Sequence, residues 1–177
     1  MRIVSGQLKG IRFSPPKSFS ARPTTDFAKE NLFNVLGNRI DFEDQKVLDL
    51  FGGTGSISYE FASRGCQHIT CIEKNFKHYK FISDTVKKLK LDTQIRPFKY
   101  CSFKYLEKCD ETFDIIFADP PFDLKTLDNL PDLVFSRPIL SENGFFILEH
   151  SDKKSFSNHP HFFEVRKYGK VHFSLFK

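Results

Sequence analysis

The feature that most constrains the fold of this 177-residue chain is a regular alternation of short strand-like runs with longer amphipathic stretches. The runs are four to six residues long and bounded by Gly, Pro or polar residues, which is typical of strands. A chain that alternates strands and helices forms a mainly parallel sheet with helices on both faces. The five predicted strands are 46–50, 68–73, 93–96, 113–117 and 144–148.

Turn signals near the two ends of the chain predict further pairing. Gly169-Lys170 separates 163–168 from 171–176, which predicts an antiparallel hairpin and brings the sheet to seven strands. Near the start, Ile3-Val4 can pair with 11–13 across a glycine-bounded turn. The sequence therefore predicts an α/β fold: a mostly parallel seven-stranded sheet with a C-terminal antiparallel hairpin and a short N-terminal β arm.

Capping residues and prolines indicate where the helices and strands begin and end. Thr25 or Asp26 is expected to cap the first helix, because either side chain can accept a hydrogen bond from a free backbone N–H. Asn75 is expected to cap a later helix in the same way. Pro97 is expected to end the third strand, and Pro131 to break a helix over 127–134.

The composition indicates one domain with reduced cysteines. The length is close to that of a single domain of about 100–150 residues, and the 40% apolar content, with 22 Phe, is enough for a core. The four cysteines form no C-x-x-C pair, so we expect free thiols and no metal site. No apolar run of about 18 residues and no secretory signal is visible, so we expect a cytoplasmic protein outside the membrane.

The first 25 residues are cationic. They hold five basic residues and no acid, whereas the other 22 basic residues of the chain are balanced by its 22 acidic ones. We therefore divide the chain into a basic arm, 1–25, and a single domain, 26–177. A basic arm on a neutral domain favours contact with nucleic acid, with a solvated tail as the alternative. The five basic residues are Arg2, Lys9, Arg12, Lys17 and Arg22.

A glycine-rich loop follows the first predicted strand and opens a helix, in the order Phe51-Gly52-Gly53-Thr54-Gly55. Glycines allow a tight turn and a close approach of the backbone to a ligand. Glu73, at the end of the next strand, can accept hydrogen bonds from two ribose hydroxyls. Asp49 would repel a pyrophosphate but suits a cation, and Ser58 stands where a dinucleotide fingerprint needs Gly. These features favour S-adenosylmethionine, which carries a ribose, an ammonium and a sulfonium but no phosphate.

A second motif, Asp119-Pro120-Pro121-Phe122, follows the fourth predicted strand. The prolines remove backbone donors and leave a rigid loop with free carbonyls, a carboxylate and a ring. That set can hold a flat, amine-bearing base, with acceptors for the amino group and a face for stacking. Together with the glycine loop, the motif indicates methyl transfer to an exocyclic nitrogen. The structural alternative is that Asp119 caps a helix and Phe122 lies in the core.

Asp49 to Gly55 and Asp119 to Phe122 resemble the class I S-adenosylmethionine-dependent methyltransferases that modify exocyclic amines, which have a Rossmann-like fold. Further segments resemble the bacterial 16S rRNA (guanine-N2)-methyltransferase family, and the likeness runs essentially end to end. The segments are Met1-Arg2-Ile3-Val4-Ser5-Gly6, Lys9-Gly10, Arg22-Pro23-Thr24-Thr25-Asp26, Glu30-Asn31-Leu32-Phe33-Asn34, Glu149-His150-Ser151 and Lys167-Tyr168-Gly169.

The resemblance implies how the cofactor is held. Asp49 and the loop backbone would bind the methionine part, Glu73 would bind the ribose, and Lys74 would lie beside the adenine. Ser102 or a backbone group would contact the adenine amine, since Cys101 stands where many relatives have an acid or amide. The loop residues are Phe51, Gly52, Gly53 and Gly55.

The resemblance also assigns the acceptor site and the RNA contacts. Asp119, which also lies beside the cofactor, and the Pro120 carbonyl would hold the guanine amine, while Phe122 stacks on the base. Whether Asp119 also accepts the proton stays open. Phe27 stands where relatives often have arginine. The expected RNA contacts are Arg2, Lys9, Arg12, Arg22 and Thr24, of which Arg22 and Thr24 have the alternative role of locking the arm onto the domain.

The predicted function is methylation of a guanine N2 amine in small-subunit rRNA by a monomer that acts on 16S rRNA or the small ribosomal subunit. One alternative is a DNA adenine or cytosine amino-methyltransferase, which shares the catalytic motif. Another is a non-catalytic RNA-binding assembly factor on the same fold. The short chain shows no separate target-recognition segment, which argues against the first, and the presence of Asp119, Glu73 and the glycine loop argues against the second.

Overall fold

A computed structural model describes residues 1–16, 19, 25–121, 124 and 126–177. Within these residues, seven strands form one sheet in the spatial order β3-β2-β1-β4-β5-β7-β6. The strands are β1 (Lys46–Asp49), β2 (His68–Glu73), β3 (Ile95–Lys99), β4 (Phe113–Ala118), β5 (Leu140–Ser151), β6 (Phe162–Tyr168) and β7 (Val171–Phe176). The α-helices are α1 (Asp26–Gly37), α2 (Ser56–Ser63), α3 (Phe76–Lys88), α4 (Ser102–Lys108) and α5 (Leu130–Phe135), the last preceded by a 3₁₀ turn at Leu127–Asn129.

The strands from β3 to β5 are parallel, and an antiparallel hairpin, β6 and β7, forms the other edge of the sheet. β7 runs antiparallel between β5 and β6, and the other neighbouring strands are parallel. The chain moves outward through β2 and β3 and then returns to β4 on the other side of β1. Ligands of such sheets bind beyond the carboxyl ends of the strands where this reversal occurs. The predicted Rossmann-like α/β fold is confirmed.

Each face of the sheet is covered by its own helices. On one face, Leu32 of α1, Phe61 of α2 and Ile82 of α3 belong to one buried cluster. On the other, Leu106 of α4 and Val134 of α5 belong to a second. Each such side chain contributes about 1.5–3 kcal/mol by leaving water. In the described part of the chain, no helix is both long enough and apolar enough to cross a membrane.

Two predicted helix starts are found where the capping residues placed them. Thr25 is the N-cap of α1, and its hydroxyl accepts a hydrogen bond from the Ala28 N–H at 3.2 Å. Asn75 is the N-cap of α3, and its side-chain oxygen accepts from the Lys77 N–H at 2.8 Å. Of the two candidates at α1, Thr25 is the cap, while Asp26 is the first helical residue.

Of the two expectations about proline, that for Pro97 was wrong and that for Pro131 is confirmed. β3 continues through Pro97, because it is an edge strand and the missing donor there does not open a central ladder. The segment 127–134 is divided near Pro131: a 3₁₀ turn over Leu127–Asn129 is followed by α5, in whose first turn Pro131 has no helical N–H partner to lose. Helix α4 was not predicted; at seven residues it is too short to show a clear period.

The beginning of the arm is anchored on the domain. Arg2 and Arg12 form an isolated antiparallel bridge, as the predicted N-terminal pairing requires. Ile3 is completely buried in the cluster below α1 and α2. The backbone N–H groups of Val4 and Ser5 donate to the two carboxylate oxygens of Glu60 on α2, at 2.9 and 3.0 Å.

Candidate active site

A cavity of about 1230 Å³ opens at the carboxyl ends of β1, β2, β4 and β5. This is where the strand order reverses, so the fold brings the two sequence motifs to one place. The predicted site residues that line the cavity are Asp49, Phe51, Gly52, Gly53, Glu73, Lys74, Ser102, Asp119 and Pro120.

The glycine loop forms the floor of the cavity, and its glycines serve different purposes. A Cβ atom on Gly52 would lie 2.6 Å from the Cys71 sulfur, so a larger residue there would displace the loop from β2. Gly53 and Gly55 have φ values of +55° and +79°, which favour glycine. Gly55 lies outside the cavity wall, and a Cβ atom there would come within 2.4 Å of the Tyr59 ring. Gly55 therefore shapes the turn rather than the ligand surface.

Asp49 is a buried carboxylate at the end of β1, and it is 1% exposed. The Ser58 hydroxyl donates to it at 2.6 Å, and the Cys71 thiol lies 3.9 Å away. Burial raises the pKa of Asp49 to about 6, and the charge of Glu73 adds to the shift. A positively charged ligand in the cavity would stabilise the ionised form of Asp49.

Glu73 is held in place by the backbone on both sides of it. Its two carboxylate oxygens accept from the N–H groups of Gly53 at 2.8 Å and Asn75 at 2.6 Å. Each carboxylate oxygen has two lone pairs, so acceptor capacity remains for hydroxyl groups of a ligand. The geometry fits the predicted ribose contact.

Two aromatic rings line the cavity close in sequence to Ser102, the predicted adenine contact. Phe51 and Phe103 both line it, with ring centroids 6.2 Å apart in an edge-to-face arrangement. The Ser102 hydroxyl donates to the Leu50 carbonyl, so it can offer a ligand only an acceptor lone pair. Cys101 also lines the cavity and is the N-cap of α4 without a side-chain capping bond.

Asp119 and Pro120 directly follow β4, the strand that pairs with β1 and its last residue Asp49. Asp119 is partly buried and Pro120 is buried. Burial, together with the charges of Glu149 and Asp49, raises the pKa of Asp119 well above its usual range. The third predicted catalytic residue, Phe122, lies outside the described residues.

Glu149, Thr25 and Lys170 are among the residues of the cavity wall that sequence reasoning missed. Glu149 lies in the buried part of β5, two residues before the strand ends, and is 3% exposed; the apolar run before it indicated only a strand. Thr25 and Lys170 reach the rim from the start of α1 and from the β6–β7 turn. In the sequence, Thr25 was recognisable only as a helix cap, and Lys170 only as part of the hairpin turn at Gly169. Neither pattern indicates a cavity.

The predicted RNA contacts are on the surface where the structure describes them. Arg2, Lys9 and Arg12 are exposed. Arg2 also forms an ion pair with Asp26, with Nε 3.2 Å from the carboxylate. Arg22 and Thr24 lie outside the described residues.

The cavity has the donor and acceptor set that S-adenosylmethionine requires. Asp49, Asp119 and Glu149 supply negative charge for a cation, and Glu73 supplies acceptors for ribose hydroxyls. Among the described residues, no group of His, Cys, Asp and Glu side chains is arranged to hold a metal ion.

Comparisons with known proteins agree with this geometry. The family model described as conserved hypothetical protein 95 matches residues 1–177. YlbH of Bacillus subtilis (strain 168), named as an rRNA methyltransferase, is similar at 33% identity over 85% of this chain and 82% of its own length. Ribosomal RNA small subunit methyltransferase D of Escherichia coli (strain K12) is 30% identical over 84% of this chain and 74% of its own.

A solved structure supports the same fold. The structure of yhhF from Escherichia coli matches with a TM-score of 0.87 and 24% identity, covering 99% of this chain and 96% of that one. At 24% identity the structural likeness shows the fold only. The family is shown by the relatives that are at least 30% identical in sequence. The chain belongs to the family of small-subunit (16S) ribosomal RNA methyltransferases.

Proposed function

We propose that this protein transfers a methyl group from S-adenosylmethionine to the exocyclic N2 amine of a guanine in small-subunit rRNA. Family membership establishes the class, S-adenosylmethionine-dependent methylation of rRNA. The proposal concerns the acceptor atom and the residues that act on it. The observation that carries it is the placement of Asp119 and Pro120 in the same cavity wall as Asp49 and Glu73.

The cofactor end of the cavity is assigned to Asp49, Glu73 and the glycine loop. When bound, S-adenosylmethionine supplies an electrophilic methyl group on a positively charged sulfur. Asp49 and the backbone of Phe51, Gly52 and Gly53 hold the methionine part, and Glu73 accepts the ribose hydroxyls. Phe103 packs beside the adenine, with Lys74 at the same rim. Gly55 contributes only the turn that orients this backbone.

The acceptor end is assigned to Asp119 and Pro120. The amine of guanine is a poor nucleophile because its lone pair is delocalised into the ring. The Asp119 carboxylate and the Pro120 carbonyl accept the two N–H bonds of the amine, which favours a pyramidal nitrogen with a free lone pair. Fixing that geometry removes much of the entropic barrier of a two-reactant step. Phe122, following Pro121, is assigned to stack on the base.

Asp119 also stabilises the positive charge that develops on the nitrogen, as oriented charges do in other enzymes. Because burial and Glu149 raise the pKa of Asp119, its carboxylate is more basic than an exposed one and is suited to accept the departing proton. The ionised form is the active one, so turnover falls as the pH drops through the raised pKa.

The remaining parts of the proposal concern the setting of the reaction. The basic arm, 1–25, contacts RNA through Arg2, Lys9 and Arg12, with Arg22 and Thr24 completing the set. The domain 26–177 carries the chemistry. The protein acts as a monomer in the cytoplasm on 16S rRNA or on the small subunit.

Transfer of a tritiated methyl group tests the proposal directly. Purified protein is incubated with labelled S-adenosylmethionine in three parallel reactions. These contain small-subunit rRNA, assembled small subunits or DNA. Each product is then digested to nucleosides. We expect label in N2-methylguanosine from rRNA or subunits. Label in methyladenosine from rRNA would overturn the assignment of the acceptor atom. Label in DNA alone would favour a DNA amino-methyltransferase.

A further inference from the structure

Phe27 is the most exposed large apolar residue in the described part of the chain, with 66% of its surface open to solvent. It lies in the first turn of α1, two residues after Thr25, which lines the cavity. Its ring meets the ring of Tyr168 edge to face, with centroids 6.1 Å apart. Tyr168 ends β6, two residues before Lys170, which also lines the cavity. Two aromatic rings from distant parts of the chain thus meet, each two residues along the chain from a residue of the cavity wall.

Charged residues lie close in sequence to both rings. Lys167 and Lys170 are exposed on either side of Tyr168. Asp26, the adjacent acid, is already paired with Arg2 at 3.2 Å, and the Lys29 Nζ lies 3.9 Å from it. Single exposed apolar residues are common and need no explanation. An exposed ring that contacts a second ring, with exposed lysines next to the second ring in the chain and cavity-lining residues two positions from each ring, has the composition of a site for single-stranded nucleic acid.

We propose that Phe27, supported by Tyr168, is a stacking surface for a nucleotide of the RNA substrate that neighbours the target guanine. This inference rests on the proposed function. A base that enters the cavity must leave its stack, and so its neighbours lose a stacking partner. The Phe27 ring replaces that partner, and Lys170 lies at the rim where the connecting phosphates pass. Phe27 is therefore a substrate-positioning residue.

Stacking on a ring and pairing with a phosphate leave different experimental traces. A stacked base contributes affinity that depends little on salt, whereas each phosphate contact steepens the salt dependence of binding. Substitution of Phe27 should therefore raise the KM for RNA without changing the slope of affinity against salt. Substitution of Lys170 should reduce that slope.

The test compares three single substitutions in steady-state methylation of small-subunit rRNA. Phe27→Leu keeps an apolar side chain but removes the ring, and Phe27→Tyr keeps the ring. Phe163→Leu is the matched control, because Phe163 is 48% exposed near the opposite end of the same strand, β6. We expect Phe27→Leu to raise the KM for RNA about tenfold to a hundredfold, the range for one stacked base. Affinity for S-adenosylmethionine should stay unchanged, and Phe27→Tyr should behave like the wild type.

The outcomes separate this inference from the proposed function. Equal KM values for Phe27→Leu and Phe163→Leu would overturn the stacking role while the wild type still forms N2-methylguanosine. A loss of RNA affinity that Phe27→Tyr fails to restore would also overturn it. If a protein partner covers Phe27 instead, Phe27→Leu leaves methylation of protein-free rRNA unchanged, which again contradicts the inference. A wild-type protein that labels another nucleoside rejects the proposed function itself.

Discussion

Two groups of charged side chains lie inside this fold, and they balance their charge in different ways. The anchor cluster, which consists of Lys29, Glu60 and Arg64, places opposite charges in contact. The Lys29 Nζ lies 3.7 Å from Glu60, and Arg64 lies 3.2 Å from the same carboxylate. The cavity acids, which are Asp49, Asp119 and Glu149, instead place like charges around one space.

The anchor cluster joins three parts of the chain. Lys29 on α1 donates to the Arg2 carbonyl at 2.7 Å and to the Ser56 hydroxyl at 3.1 Å. Glu60 on α2 accepts the N–H groups of Val4 and Ser5. Desolvation lowers the pKa of Lys29 despite the nearby carboxylates, so the pair does not simply add stability. It fixes where the arm begins.

The cavity acids make the opposite contribution. Burial raises the pKa of Asp49 and of Asp119, so keeping both ionised in the ligand-free protein costs free energy. A bound cation offsets that cost. The comparison teaches that the ion pairs of the anchor cluster serve the fold, while Asp49 and Asp119, whose pKa values burial raises, serve the chemistry.

The largest expected effect comes from Asp119→Asn, which keeps the shape of the side chain but removes its charge. Turnover should fall by about 10²–10³-fold, as it does when one stabilising group is removed from other active sites. Binding of S-adenosylmethionine, measured by calorimetry, should change far less. Asp128→Asn is a suitable control, because Asp128 is an exposed acid whose partner is Lys154. Turnover of Asp119→Asn within a few-fold of that control would reject the assigned role.

The next largest effect is expected for Lys29→Met, which disrupts the anchor cluster and lowers the free energy of unfolding. Removing one partner of a buried pair typically costs 3–5 kcal/mol, and we expect about 3 because Arg64 stays beside Glu60. Urea unfolding gives the free energy. Lys80→Met is the matched control; Lys80 and Asp84 form an exposed pair, with side chains 63% and 60% open, so the loss should stay below about 1 kcal/mol. Equal losses in the two variants would contradict the anchoring role.

The raised pKa of Asp49 should appear in the pH dependence of the free energy of unfolding. Its pKa is about 6 in the folded chain against a reference value of 3.8, so the folded state binds more protons between these values. Stability of the ligand-free protein must therefore fall as the pH rises from 4 to 6, by about 2–3 kcal/mol from this group. Asp49→Asn should flatten the curve, stabilise the ligand-free protein at pH 7 and weaken binding of S-adenosylmethionine. If Asp49→Asn binds S-adenosylmethionine with normal affinity, Asp49 does not contact the cofactor.

The smallest expected effect concerns the arm. Lys9→Gln combined with Arg12→Gln should weaken RNA binding by about tenfold and lower the slope of log affinity against log salt by about 1, since each phosphate contact on single strands contributes roughly 0.7. The control is Lys87→Gln with Lys88→Gln, which removes the same charge from the exposed end of α3. If both double variants show the same slope of log affinity against log salt, the arm does not contact the RNA.

Features that depend on neighbouring residues could be predicted from the sequence. The bounds of β2 and the Asn75 cap follow from a local apolar run and one side chain. Asp49 and Glu73 were predicted as cavity residues because parallel strands end at one edge. Glu149 was missed, because its role depends on which strand neighbours β4. Likewise the contact of Phe27 with Tyr168, and that of Lys29 with Glu60, join residues that no local pattern connects.

The central claim is that the cavity methylates guanine N2 through Asp119. The most direct measurement is mass spectrometry of small-subunit rRNA nucleosides from cells that lack the gene and carry either the wild-type chain or Asp119→Asn. The account predicts that one N2-methylguanosine disappears without the gene, returns with the wild-type chain and stays absent with the variant. An unchanged N2-methylguanosine content in cells without the gene would contradict it.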